Sequence, residues 1–412
     1  MIEKQLKYKK NTLADIISVT MYQYDSRQIK PSDIYICLPG GEAYIPEALE
    51  KGASSYIAAD RKKMADLANT YYDNPSKKLC VIGITGTNGK TTVAHLVGQA
   101  LKKAGFNSYV QGTLTGKLTT PESLDTIRAM SEHLKNKGTH FIMEVSSHAI
   151  AQDRIAGITF HAKLLTNITQ DHLDYHKTFE AYAETKLSFM NDKKPNRFLP
   201  EITEITPLPF PSPLPGVFNY KNMQAAVQIL ASCGLNETQI QDALSNATSP
   251  PGRFETIDEG QQFKVIVDYA HTPDGLQNVL QEAQVLAEKT HGKVRVLFGC
   301  GGERDKTKRP KMGSIAHQYA DHLVITQDNP RSEDPTKIIE EILEGIPQTE
   351  KPYEIILDRK QAIQHIINLA QNSDIVMIVG KGHETHQIIN GKTLPFDDRE
   401  EARIALKLKR KS

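Results

Sequence analysis

Hydrophobic and polar positions alternate in blocks along the chain, and the blocks predict an α/β protein. Asp33-Ile34-Tyr35-Ile36-Cys37-Leu38 reads as a strand, Ile45 to Gly52 as a helix closed by glycine, and Ser55 to Ala59 as a second strand. Leu79 to Ile84 is a short apolar run. It is followed by a glycine-rich turn and by a segment from Thr91 to about Lys103 in which Val93, Leu96, Val97, Ala100, Leu101 and Ala104 recur at helical spacing. Strands are expected again at Phe141–Val145 and Lys163–Asn167, the alternation of a parallel sheet. Beyond Pro250, strands are expected at Phe263–Val267, Val294–Phe298, Leu323–Thr326, Tyr353–Ile356 and Ile375–Val379, with helices such as Gly275–Glu288 and Arg359–Gln371 between them. Asn390-Gly391 reads as a hairpin turn at the sheet edge.

Between these blocks, seven prolines (195, 200, 207, 209, 211, 213 and 215) crowd into residues 195–215. Proline cannot donate to a strand ladder, so an extended surface linker is expected there rather than a central strand. The division that follows is residues 1–78, a small α/β domain; 79–249, a central domain with a parallel sheet; and 250–412, a doubly wound Rossmann-like domain.

Composition narrows the class. A net charge of +1 over 412 residues offers no bulk attraction to nucleic acid or anionic lipid. No apolar run is long enough for a membrane span, and the opening MIEKQLKYKK has no apolar core of a secretory signal. Cys37, Cys80, Cys233 and Cys300 are scattered without a C-x-x-C pair, which gives no disulfide or zinc framework. A cytoplasmic monomer acting on small molecules is the expectation. The basic end Lys407–Lys411 reads as a solvated tail.

The chemistry starts at Gly83-Ile-Thr-Gly86-Thr87-Asn88-Gly89-Lys90-Thr91-Thr92, between the strand and the helix. Glycines let backbone N–H groups surround phosphate oxygens, and the helix N-terminus favours an anion. Lys90 can reach the β- and γ-phosphates of ATP and Thr91 can hold Mg²⁺, although Gly83 to Gly89 is one residue longer than the general phosphate-loop spacing. Glu144 closes the strand before Val145-Ser146-Ser147-His148, where α/β sheets place ligands, and its carboxylate can coordinate Mg²⁺.

These strings, with TN-x-x-x-DHLDYH from Thr166 to His176, DYAHTPD from Asp268, GCGGERD-x-x-KRP from Gly299, DNPRSEDP from Asp328 and GKGHE from Gly380, resemble the Mur ligases, and among them the tripeptide synthetase branch (MurE). The resemblance runs from Asp25-Ser26-Arg27 to Phe396-Asp397-Asp398-Arg399. It implies a substrate-nucleotide domain, a central ATPase domain and a C-terminal Rossmann-like domain. It also implies a ligase that adds an amino acid to UDP-N-acetylmuramoyl-L-alanyl-D-glutamate through an acyl phosphate, in peptidoglycan precursor synthesis.

By that resemblance His172 is a magnesium ligand beside Glu144 and Thr91, and Lys186 falls where the family has a carbamylated lysine; on its own Lys186 reads as a solvated helix residue. Gly86, Thr87, Asn88, Gly89, Lys90, Thr91 and Thr92 are implied for the phosphates, Asn219 and Asn222 for adenine, and Arg253 and Asp268 for the nucleotide from the third domain. Asn219 could equally be a helix N-cap. Asp328-Asn329-Pro330-Arg331 implies meso-2,6-diaminopimelate, because a guanidinium can pair with its distal carboxylate. A plain Asn-Pro turn is the bland reading of the same residues. Gly382 and Glu384 are implied for the zwitterionic end of that amino acid, with Arg304 as a further contact; Glu303 stands where aspartate is commoner in the family. Thr119, Thr120, Ser146 and Arg154 are implied for the acceptor peptide and Ser26 for UDP.

Two departures stand out. The family usually carries more strands between Lys186 and the Leu-Pro-Gly-Val-Phe-Asn segment, and a longer loop at Pro39-Gly40-Gly41. A paralogue with another acceptor, a folylpolyglutamate synthetase and a non-catalytic ATP-binding paralogue are the rivals. EVSSH, DNPR and GKGHE disfavour the second, and joint retention of Lys90, Glu144, His172 and Lys186 disfavours the third.

Overall fold

The computed structural model describes residues 21–116, 118–191, 197–199 (backbone only), 207–347 and 351–410. Three sheets organise these residues. The first is parallel, in the order β1 (Tyr22–Gln23), β2 (Ile34–Cys37), β3 (Ser55–Ala58). The second contains β4 (Cys80–Thr85), β5 (Ser108–Gln111), β6 (His140–Glu144), β7 (Ala162–Leu165) and β8 (Arg197–Leu199), all parallel, in the order β5-β6-β4-β7-β8.

The third sheet uses β9 (Glu255–Ile257), β10 (Lys264–Asp268), β11 (Val294–Phe298), β12 (His322–Ile325), β13 (Tyr353–Ile355) and β14 (Ile375–Val379). Its order is β13-β12-β11-β14-β10-β9, with β9 alone antiparallel.

The central strands of the second and third sheets are buried along nearly their whole length because helices cover both faces. On one face of the second sheet, Val93, Leu96 and Val97 of helix Lys90–Lys103 pack with Met223, Ala226 and Ile229 of helix Val217–Ser232 against Ile82, Ile84 and Ile142. Val81, Phe141, Met143, Phe160 and Phe189 fill the other face. Each such side chain taken fully out of water contributes about 1.5–3 kcal/mol. This is what holds the β4–helix junction rigid beneath the phosphate loop.

Two expectations need correction. The proline-rich stretch is not wholly a linker: β8 pairs with β7 at the open edge of the second sheet, the one place where neighbouring prolines cost no central ladder bond. Pro195 and Pro200 lie outside the described residues. The Asn390-Gly391 turn joins β15 (His386–Ile389) and β16 (Lys392–Pro395), both turn residues having positive φ as a two-residue hairpin requires. The hairpin is a separate two-stranded sheet, not an edge of the large one. Its backbone pairs instead with the loop at Arg331, through Arg331 N–H to Ile388 O (3.0 Å) and Asn390 N–H to Arg331 O (2.7 Å).

Candidate functional site

Strand β4 delivers the chain into a turn that only glycine can make. Gly86 and Gly89 have φ of +140° and +87°, and a Cβ at Gly86 would overlap the Thr166 hydroxyl. The backbone thus curls back on itself, and Lys90 Nζ donates to the carbonyls of Gly86 and Thr87, both at 2.8 Å. Burial draws the Lys90 ammonium below an ordinary lysine, and the nearby Glu144 carboxylate works against that.

Glu144, at the end of β6, is almost wholly buried. It accepts from Thr91 Oγ1 (2.8 Å), from the Thr113 amide (2.9 Å) and from Thr113 Oγ1 (3.1 Å). All three partners are neutral, so a buried carboxylate bonded to no cation stands beside a threonine hydroxyl, two hard oxygen donors together. That donor set suits Mg²⁺.

The third domain closes over this face. Arg253 reaches Thr91 Oγ1 (3.3 Å) and lies over the Tyr269 ring, 4.2 Å from its centroid; its buried Nε has no hydrogen-bond partner. Asn88 Nδ2 donates to Asp274 Oδ2 at 2.9 Å. The result is two adjoining cavities between the central and C-terminal domains.

The first cavity, about 320 Å³, is lined by Thr87 to Thr92, Thr119, Glu144, Ser146, His172, Arg253, Arg304, Asp328, Asn329, Arg331 and Glu384. The second, about 350 Å³, is lined by Asn88, Gly89, Thr92, Asn219, Asn222, Arg253 and Asp268. Asn219 sits in the first turn of helix Val217–Ser232, and the N-cap is Gly216, so its N-cap reading is wrong. Its amide donates to Pro215 O (2.8 Å) and its oxygen accepts from Asn222 (3.4 Å). Asp268 accepts from the Phe254 and Ala270 amides, both at 2.7 Å, and burial raises its carboxyl.

Across the first cavity, the hairpin β15–β16 braces the Asp328–Arg331 loop. Gln387 Nε2 donates to Asp328 O (2.6 Å) and the Ile388 amide to Asn329 Oδ1 (3.0 Å). Arg331, itself at φ +57°, holds Gly302 O at 2.6 Å and projects into the cavity. Glu384 accepts from Asn329 (2.8 Å) and from the buried Lys381 (2.8 Å). Arg304 is exposed at the cavity mouth.

Several expected site residues are not on these cavities. Gly382 is not a lining residue: a Cβ there would meet Tyr269 and the Gly252 carbonyl, so it is the point where the turn at Gly252 and the loop after β14 touch. Pro330 is also absent from the lining, its carbonyl packed against Gly302.

Lys186 is not the solvated helix residue its own position suggests; it is buried, with Nζ on Gly86 O at 2.8 Å and over the Tyr182 ring. Burial, then Lys90, press it far below an ordinary lysine. The neutral amine is the form that adds CO₂, but Nζ lies against the phosphate-loop backbone rather than in the cavity lining.

Thr120 and Arg154 are occupied inside the protein. Thr120 Oγ1 donates to Glu144 O (2.9 Å) and accepts from the Ser146 amide (3.0 Å). Arg154 pairs with Glu122 (3.4 Å) and donates to Thr120 O (3.3 Å). Ser146 caps the helix Ser147–Ala151. Ser26 donates to Glu47 (2.7 Å) in the first domain, away from either cavity lining.

The least expected feature is Asp171. Its carboxylate lies 3.4 Å from His172 Nε2, 3.8 Å from His271 Nε2 and 3.8 Å from Lys308 Nζ, joining the central domain to two elements of the third. Burial alone would raise it, yet these neighbours hold it below the usual carboxylate range. Burial drives His172 down to about 3 and, with Lys308, His271 to about 4. All of these residues stand inside strings already visible in the sequence. What singles them out is that they converge from three separate strings.

Comparison with known proteins agrees with this architecture. Residues 84–204 match the Mur ligase middle domain and residues 252–382 the Mur ligase, glutamate ligase domain. The UDP-N-acetylmuramoyl-L-alanyl-D-glutamate–2,6-diaminopimelate ligase of Syntrophomonas wolfei is 38% identical over 456 aligned positions, covering 92% of this chain and 93% of that protein. The enzyme of the same name from Geobacillus thermodenitrificans is 37% identical, covering 96% of each. Because 456 aligned positions exceed the 412 residues of this chain, gaps open in it, in keeping with its two shortened regions.

A solved ligase of that name superposes with a TM-score of 0.61 at 30% identity, covering 95% of both chains. The MurF ligase of Thermotoga maritima in complex with ADP shares the fold, with a TM-score of 0.64 at 15% identity, covering 97% of this chain and all of that one. With relatives well above 30% identity along nearly the whole length, and both family models falling on the two domains that meet at the cleft, the chain belongs to the Mur ligase family.

Proposed function

We propose that the protein joins meso-2,6-diaminopimelate to UDP-N-acetylmuramoyl-L-alanyl-D-glutamate, using ATP, in peptidoglycan precursor synthesis. The observation that carries this reading is that Lys90, Glu144 and Arg331 line one cavity. A group for the phosphates, a carboxylate for a metal and a guanidinium for a distal carboxylate therefore face the same space. The relatives named above carry this activity in their names.

In this mechanism Asn219, Asn222 and Asp268 bind the nucleoside end of ATP in the second cavity, and Gly86 to Thr92 wrap its phosphates. Lys90 turns its ammonium from the loop carbonyls to the β- and γ-phosphates, and Arg253 brings a second positive charge from the third domain. Thr91, Glu144 and His172 would hold Mg²⁺, with Lys186 as a carbamate supporting them; bound there, the metal neutralises phosphate charge. A carboxylate oxygen of the acceptor's D-glutamate attacks the γ-phosphorus and ADP leaves. The amino nitrogen of diaminopimelate then attacks the acyl carbon, the C–O bond to phosphate breaks, and inorganic phosphate departs. Arg331 holds the distal carboxylate through paired charge-assisted hydrogen bonds, while Asp328, Asn329 and Glu384, with Arg304 at the mouth, orient the zwitterionic end. Thr119 and Ser146 guide the acceptor from the first cavity, and Arg154 and, on the first domain, Ser26 join them only by giving up Glu122 and Glu47.

The domains in this reading are 1–78, 79–249 and 250–412, and the enzyme acts as a monomer in the cytoplasm, where water-soluble small-molecule substrates are met. Phosphate release with ATP, Mg²⁺ and the UDP-muramoyl dipeptide tests the reading. Release should require diaminopimelate and fail with L-lysine. Equal use of lysine would overturn the amino-acid assignment, and release only with another acceptor would favour a paralogue, a reading the gaps in this chain make worth testing.

A further inference from the structure

At the opposite ends of β4 and β6 from the cleft, three metal-ligating side chains meet. Cys80 opens β4, His140 opens β6, and Cys233 caps the C-terminus of helix Val217–Ser232. One ligand atom from each lies within 4.8 Å of the other two. Cys80 and His140 are register partners on adjacent parallel strands, so their side chains share a face, and the helix end brings Cys233 onto that face. Sequence separation hides the group entirely: no two of its members are closer than sixty residues apart.

We infer that Cys80, His140 and Cys233 form a binding site for a thiophilic divalent cation, Zn²⁺ foremost. The geometry carries the inference. Two thiolates each about 2.3 Å from a tetrahedral zinc stand about 3.8 Å apart. The Sγ atoms of Cys80 and Cys233 are 3.8 Å apart. A disulfide would need them at about 2.0 Å.

The Thr139 hydroxyl meets His140 Nδ1 at 2.9 Å and Phe106 packs edge-on against the ring, which orients the imidazole and leaves Nε2 to donate. His161, whose Nε2 lies 3.0 Å from Ser232 O, stands beside Cys233, and because Cys80 and Cys233 are only partly buried, solvent can supply a fourth ligand. A cation here would pin the starts of two strands, whose other ends carry the phosphate loop and Glu144, to the helix that bears Asn219 and Asn222.

The test is cobalt substitution in the full-length protein, stripped with chelator under reducing conditions and titrated with Co²⁺ alone. One equivalent should give thiolate-to-cobalt charge-transfer absorption and tetrahedral d–d bands, which oxygen ligands in the cleft cannot produce. Zn²⁺ should bleach both and raise the melting temperature. The Cys80→Ser/Cys233→Ser double variant should lose the charge-transfer band, His140→Gln should weaken Co²⁺ binding at least tenfold, and Cys37→Ser should leave the spectrum unchanged. Circular dichroism checks that each variant is folded. Absence of the band in the wild type would overturn the site, as would its persistence in the double variant. So would a Cys80–Cys233 disulfide found by mass spectrometry in protein kept under reductant.

Discussion

The nucleotide side of the cleft and the acceptor side differ in what their polar groups are bonded to. Lys90 and Arg253 face the first cavity with bonds only to loop carbonyls or a hydroxyl, and Glu144 has only neutral partners. Thr120, Arg154 and Ser26 are each committed to a partner within the protein, and none of them lines the cleft. A charge held near an empty space by weak internal bonds is ready for a ligand. A charge already paired has to break that pair first. Thr120, Arg154 and Ser26 therefore support the shape of the first and central domains in this conformation, and direct roles for them require rearrangement, whereas Thr119 and Ser146 already line the first cavity.

The sharpest way to break this comparison is Lys90→Ala. ADP formation should fall by on the order of 10²–10³-fold, the usual loss for one preorganised charge-stabilising donor. Circular dichroism should show an unchanged fold, and a mild loss would mean the loop is not the phosphate site. Arg331→Ala comes next. Losing a charge-assisted pair should reduce kcat/KM for diaminopimelate by about 10- to 100-fold while ATP turnover with the variant's residual substrates is spared. Steady-state kinetics with diaminopimelate and lysine reads this directly.

Acid sharpens the contrast by region. His271 and His383 titrate near 4 because burial lowers them, with Lys308 adding for the first and Arg253 for the second. Their ordinary value is about 6.5. A lowered folded value favours the native state above the ordinary value and loses that advantage as pH falls toward 4. Melting temperature should therefore drop between about pH 6.5 and 4, with proteolysis opening the cleft first, since residues 1–78 contain no histidine. His383→Gln should flatten that drop.

The smallest effect is expected from Ser26→Ala. It removes one hydrogen bond to Glu47, worth about 0.5–1.5 kcal/mol, and should move KM for the UDP-linked acceptor by no more than a few-fold. A tenfold rise would put Ser26 on the substrate and erase the contrast between the two sides.

What could be read from the sequence follows the same division. The phosphate loop was legible because glycine, lysine and threonine at fixed spacing between a strand and a helix leave one local solution. The buried strands of the two large sheets were legible as continuous apolar runs. Edge strands were legible unevenly: β3 and β13 fall where their apolar runs place them, but β8 sits in a proline-rich stretch, and the β15–β16 hairpin shows its turn but not its partner, because pairing is a property of distant chain segments. Asn219 illustrates the limit of local reading, since one turn of offset separates a cap from a first-turn amide. The convergence of His271 and Lys308 on Asp171, and the Cys80–His140–Cys233 group, could not be seen, because each depends on where separate strands and helices meet.

Gly252 and Gly382 meet backbone to backbone, and a Cβ on Gly252 would overlap the His383 amide. The turn that leads into the third sheet and the loop after β14 are therefore one joint with no clearance. Any side chain at 252 would act as a doorstop, tilting the whole jaw and lifting the Arg253 guanidinium off Thr91.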